Sequence, residues 1–103
     1  MSLKYFAYIY LLPGSNSLPD ITESSSKFCR FKAIGLSLAH KDTVLEISEK
    51  LVDEGVQLIE LCGGFGPIWG SKGSDRVQGE VPIGMVMYGP ESRQTLLDLT
   101  KDF

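Results

Sequence analysis

A carboxylate, a cysteine and three glycines crowd into one octapeptide, ELCGGFGP at residues 60–67, directly behind the run 56–59, apolar but for Gln57. Cys62 offers a nucleophile: at the mouth of a helix, the dipole lowers a thiol's pKa and populates the thiolate. His40, the chain's single histidine, could then serve as its base. The plainer reading is a buried structural cysteine, since cysteine is among the most commonly buried residue types, and a solvated or capping histidine. Glu60, set between Ile59 and Leu61, must find partners or a raised pKa if its strand is internal. It reads as a general base or a ligand for a polar substrate, or else as an ion-paired or outward-facing interface residue. Cys62, Glu60 and His40 are therefore the catalytic candidates.

Gly63, Gly64 and Gly66 let a ligand approach the main chain closely. Pro67 suits the first position of a helix, whose free N–H groups favour a phosphate or carboxylate. Phe65 and Trp69 could wall an apolar pocket or simply close the core. The ligand-binding set is thus Cys62, Gly63, Gly64, Phe65, Gly66 and Trp69, for a small anionic or polar molecule. A G-x-G-x-x-G fingerprint would need glycine at 69, where Trp69 stands, and no G-K-S or G-K-T occurs, so no nucleotide cofactor is expected. The alternative is that the glycines only make a tight strand-to-helix turn. Cys29 and Cys62, thirty-three positions apart, have no metal-ligand spacing with one histidine. No metal is expected, and both thiols are expected to be reduced.

Which elements hold these residues follows from apolar periodicity. Residues 5–12 are almost continuously apolar and aromatic, as in a strand covered on both faces. Pro13-Gly14-Ser15-Asn16 ends that strand. The polar stretch 17–27, with Ser24-Ser25-Ser26, reads as a loop carrying at most a helical turn. Alternation of Arg30 and Lys32 with Cys29, Phe31 and Ala33 makes 28–38 an edge strand. Val44, Leu45, Ile47, Leu51 and Val52 form one helical stripe over 41–54, with Asp42 as cap, Glu46 and Lys50 as an i,i+4 pair, and Gly55 as the stop. Residues 56–61 form a buried strand. Gly70 and Gly73 weaken the helix after Pro67, which is expected to be irregular and to end near Gly79. Residues 81–88 are a strand, and a last helix turns Leu96, Leu97, Leu99 and Phe103 inward.

Strands alternating with helices imply parallel pairing and right-handed crossovers. The expectation is a single α/β domain over residues 1–103, a mainly parallel four-stranded sheet in the order 2-1-3-4 with helices packed on it. Ligands bind beyond the carboxyl ends of such strands, which brings 13–16, 37–40, 62–69 and 88–91 to one rim. A sheet this small leaves edges and faces uncovered, so a homodimer or larger homo-oligomer is expected.

Composition narrows the partners. The 103 residues are 43% hydrophobic and 22% charged, with a formal net charge of -3. The ten Lys and Arg are scattered, which gives no basic stripe for a phosphate backbone. The run 5–12 is far short of the roughly 20 residues a membrane span needs and lacks a cleavage site. Neither nucleic acid nor membrane is an expected partner, and a cytoplasmic location is the default.

The segment EGVQLIELCGGFGP at 54–67 resembles a family of small, uncharacterised bacterial proteins marked by Glu-Leu-Cys-Gly-Gly-Phe-Gly-Pro. The first strand, the 41–54 helix and the Val81-Pro82-Ile83-Gly84 strand resemble it too. That family brings no established function. Its members continue past the proline into an alanine-rich helix, whereas here Ile68-Trp69-Gly70-Ser71-Lys72-Gly73 intervenes, which puts any ligand contact made by that helix in doubt.

Overall fold

The structure, a computed structural model, describes residues 2–16 and 18–102. Five strands and three helices follow in the order β1 (Tyr5–Leu11), β2 (Asp20–Ser25), β3 (Arg30–Leu36), α1 (Thr43–Asp53), β4 (Ile59–Leu61), α2 (Gly66–Arg76), β5 (Ile83–Met85) and α3 (Arg93–Thr100). They make one sheet in the order β2-β3-β1-β4-β5. β1 pairs in parallel with β3 and β4, and β4 with β5, while β2 runs antiparallel to β3.

Alternation along β1 explains the packing. Tyr5, Ala7 and Ile9 are buried, whereas Phe6, Tyr8 and Tyr10 on the opposite face are only half-buried. The buried face meets Val44, Ile47 and Leu51 of α1, with Phe65 and Val77 from either end of α2. Ser48, the one buried polar side chain among the described residues, donates its hydroxyl to the Val44 carbonyl at 2.7 Å. Both helices occupy this face because α1 carries the chain from β3 to β4 and α2 carries it from β4 to β5, both in the same direction across the sheet; right-handed crossovers then land on one side. Arg76 and Glu49 tie the helices together at 2.6 Å. The other face receives no such cover: on it, only Gly35 is buried.

Several expectations change. The 17–27 stretch is no loop: β2 is a strand whose six residues are all exposed, so no apolar period marks it. It is held instead by the ladder to β3 and by Glu23, which meets Lys32 at 3.6 Å and Arg30 at 3.7 Å. Ser17 lies outside the described residues. β3 is consequently interior, and its lysine and arginine serve this pairing rather than guarding an edge. The sheet has five strands; the four expected ones keep the expected order. α2 is a regular eleven-residue helix despite Gly70 and Gly73, because Gly73 lets Ile83 approach: a Cβ there would stand 3.3 Å from Ile83 Cδ1. Asp42 precedes α1 without a side-chain cap bond, and Glu46 and Lys50 form no ion pair within 4.0 Å. Gly55 does end α1 with φ +98°. Finally, α3 buries none of its residues: Leu97 is 52% exposed and Leu99 72%. The expected inward face of that helix is absent, and Phe103 lies outside the described residues.

Candidate functional site

Parallel pairing brings the segments after β1, β3, β4 and β5 to one edge of the sheet, as the candidate site requires. At the end of β4, Cys62 is still extended, and its N–H donates to the Ile9 carbonyl at 3.0 Å. Its Sγ lies 3.4 Å from the Leu11 N–H and accepts from it, so the thiol is held against the central strand. A 3-10 turn, Gly63–Phe65, then leads directly into α2. Gly66 joins the two at φ +78°, a conformation that side chains rarely adopt. Gly63 is required for a different reason: a Cβ would lie 3.1 Å from the Val86 carbonyl. The Tyr88 ring rests on the same glycine, its Cε2 3.6 Å from where that Cβ would be.

The N–H groups of Gly63 and Gly64 have no acceptor within the described chain, and both glycines are exposed. Lys41 Nζ reaches the Gly64 carbonyl at 3.5 Å, bringing a cation to the turn. His40 is exposed at the end of a second 3-10 turn, Leu38–His40, whose Ser37 hydroxyl accepts from the Ala39 N–H. No hydrogen bond joins His40 to Cys62, the link that base-assisted nucleophilic attack uses.

Glu60 is exposed, not buried: β4 alternates so that Ile59 and Leu61 enter the core while Glu60 faces out beside Tyr8. Phe65, at 4% exposure, belongs to the core, and Trp69 packs partly against it with Lys72 Nζ 4.5 Å over its ring. These two aromatics close the core beneath the turn. Cys29 and Cys62 are both free thiols.

One residue joins the site that the sequence reading did not single out. Tyr8 has its pKa raised, first by burial and then by the nearby Cys62, Tyr88 and Glu60. Its cross-strand register with Glu60 was the available signal, because Tyr8 sits on the half-buried face of an otherwise apolar strand. Tyr88 lies in the 88–91 segment that the strand reading already brings to this rim.

Two open depressions lie elsewhere. One of about 300 Å³ is lined by Phe6, Ser24, Ser25, Ser26, Cys29 and Phe31. The other, about 200 Å³, lies between α1 and the end of α2 and includes Glu49, Asp53, Arg76 and Glu80. Among the described residues no group of three or more His, Cys, Asp or Glu could hold a metal ion, and no helix is long and apolar enough to cross a membrane.

A family model described as a family of unknown function, DUF6506, matches residues 4–101. The chain belongs to this family. The DUF6506 match runs from the residue before β1 to the one after α3, so the glycine turn, the uncovered face and the exposed final helix all fall within the family domain. Comparison with curated proteins and with solved structures gives no match.

Proposed function

We propose that this domain binds a small anionic or polar molecule at the carboxyl edge of its parallel strands. One observation carries the reading: at the amino end of α2 the N–H groups of Gly63 and Gly64, both exposed residues, bond no acceptor, with Lys41 Nζ 3.5 Å from the Gly64 carbonyl. Backbone donors, a helix dipole and one cation together favour a phosphate or carboxylate. Cys62 and Glu60 supply polar contacts, His40 borders the opening, and Gly66 gives the turn its shape. Phe65 and Trp69 hold that turn in place from below. Under this reading the protein is cytoplasmic and acts without nucleic acid or membrane.

A thermal-shift titration with inorganic phosphate, citrate and adenosine monophosphate tests the reading. A ligand at a hundredfold excess over its dissociation constant adds about 2.7 kcal/mol to stability, and Lys41→Ala should weaken that gain. If none of the three shifts the melting temperature, the reading is lost.

The second reading is a homo-oligomer, favoured by the uncovered sheet face. Parallel strands are normally covered on both faces, and here α1 and α2 cover one.

A further inference from the structure

We propose that two copies of this chain join edge to edge through β2, making one continuous ten-stranded sheet with Thr22 on the two-fold axis. The proposal rests on the homo-oligomer reading and moves the contact from the uncovered face to the edge of the sheet.

β2 is an edge left open. Its six residues are all exposed, its register with β3 runs from Asp20 to Ser25 without a bulge, and it contains neither proline nor lysine, the devices that usually blunt an edge. The opposite edge, β5, is only three residues long. The Ser26 N–H donates to the Cys29 carbonyl at 2.8 Å, so Ser26 faces β3. Alternation back along the strand then turns Ser24, Thr22 and Asp20 toward β3 and points the N–H and carbonyl groups of Ser25, Glu23 and Ile21 outward. Those three outward N–H groups bond no acceptor among the described residues. Glu23, the carboxylate near the middle of the strand, is already met by Lys32 and Arg30, so it repels an approaching strand less than a free charge does.

A two-fold axis normal to the sheet sets β2 antiparallel to its copy and keeps the helix-bearing faces on one side. Charge and hydrogen bonding select the register. Centring on Glu23 would oppose the two Glu23 carboxylates, and like charges directly opposite destabilise. Centring on Ile21 would leave one hydrogen-bonded pair within the strands, Ile21 with itself. Centring on Thr22 gives two such pairs, each Ile21 with Glu23 of the other copy, and hence four main-chain bonds. The two threonines then face each other, and Asp20 faces Ser24. The same register carries Leu18 of each copy to Ser26 of the other, next to the turn that holds Phe28. These apolar side chains are 72% and 78% exposed in the single chain, and the pairing sets them at the same end of the joint. Seven facing residues, 19–25, at about 3.4 Å each across a sheet about 10 Å thick give a plan area of about 240 Å² per copy. The contact therefore belongs with small, transient interfaces, in which main-chain hydrogen bonds supply the affinity of strand addition.

Sedimentation equilibrium on the full chain, raised in concentration to about 1 mM, tests this. The wild type should move from its 11.3 kDa mass toward twice that value. T22K puts two lysines directly opposite each other and should weaken association at least tenfold. Thr22 is exposed, so this variant should keep the wild-type urea midpoint at concentrations where both are monomeric. A second readout is covalent. In a C29S/C62S background, which by itself should give no dimer band, T22C should give one on a non-reducing gel after mild oxidation. The Cα atoms of a non-hydrogen-bonded antiparallel pair lie about 4.5 Å apart, within disulfide reach. A wild type still monomeric at about 1 mM, where even a millimolar dissociation constant gives a measurable dimer, overturns the oligomer reading and the proposal together. A dimer that T22K leaves unchanged overturns the pairing through β2 and leaves the oligomer reading standing. Cross-linking through E23C in place of T22C, or through neither, overturns the Thr22 register.

Discussion

The two ends of the parallel strands are finished in opposite ways. At the amino ends, polar side chains satisfy nearly everything they meet. Gln57 precedes β4, and its Oε1 accepts from the N–H groups of Lys4 and Tyr5 at 2.6 and 3.1 Å while its Nε2 donates to the Ser2 carbonyl. It thereby extends the ladder ahead of the first strand residues. Lys32 crosses from β3 to Glu54 behind α1 at 2.9 Å, the Tyr5 hydroxyl donates to the same carboxylate, and Arg30 lies 4.2 Å over the Tyr5 ring. At the carboxyl ends the backbone turns on glycines, two N–H groups stay open, and one lysine approaches a carbonyl. The contrast separates tasks: one end ties the sheet to its helices, and the other keeps donors available.

Three substitutions break or sharpen that contrast. The largest effect is expected from Gln57→Ala, which strips the acceptor from two backbone N–H groups, one of them partly buried. An unsatisfied donor costs about 1–3 kcal/mol, read as a lower urea midpoint; an unchanged midpoint would mean that water replaces the amide without loss.

Glu54→Gln comes next, and it acts through pH. Hydrogen bonding to Lys32 holds the Glu54 carboxyl below its usual range and raises the Lys32 ammonium above its own. A lowered carboxylate contributes stability above its unfolded pKa, near 4.3, and loses it as pH falls through the folded value. A raised lysine contributes below its unfolded pKa, about 10.4, and loses it as pH rises through the folded value. Stability from this contact should therefore form a plateau from about pH 5 to about pH 10. The Glu54 side chain is 46% exposed, so solvent screening keeps the acid-side change below about 1 kcal/mol. In Glu54→Gln the acid limb of the urea midpoint against pH should flatten.

Gly64→Ala should be the mildest. Its φ is not in the left-handed region, and the new Cβ would press only on the flexible end of Leu11 at 3.2 Å, with Cys62 Sγ at an ordinary 3.6 Å. Stability should stay within about 0.5 kcal/mol of wild type. Any phosphate-induced thermal shift should shrink, because the Cβ crowds the open N–H groups. Loss of stability without loss of that shift would assign the glycine turn to architecture alone.

Much of the frame was legible because it is written in apolar periodicity. The α1 stripe, the run of β1 and the stop at Gly55 all follow from it, and they fix the parallel order that gathers the rim. β2 was hidden because every one of its residues faces solvent; its pairing depends on cross-strand ladder bonds and on Glu23 meeting charges seven and nine positions away in sequence. Three leucines in α3 imitate a core stripe, yet only Leu96 is half-buried, while Leu97 and Leu99 face solvent. At the site, the glycine turn and the rim segment that holds Tyr88 could be located in advance, but Lys41 and Tyr8 could not. Lys41 reaches the turn only through the fold, and Glu60 turned outward because β4 keeps strict alternation. Phe65 lies in the core, and Trp69 packs partly against it.

The placement of β1 has a consequence for how the chain is made. It is the centre of the sheet, yet both of its neighbours come later, β3 ending at Leu36 and β4 at Leu61. As the polypeptide leaves the ribosome, this aromatic segment must wait for β3, complete 25 residues after Leu11, and then for β4, complete 50 residues after it. Closing such distant pairs is slow compared with forming local helices, so the aromatic central strand keeps one or both edges open for much of the chain's synthesis.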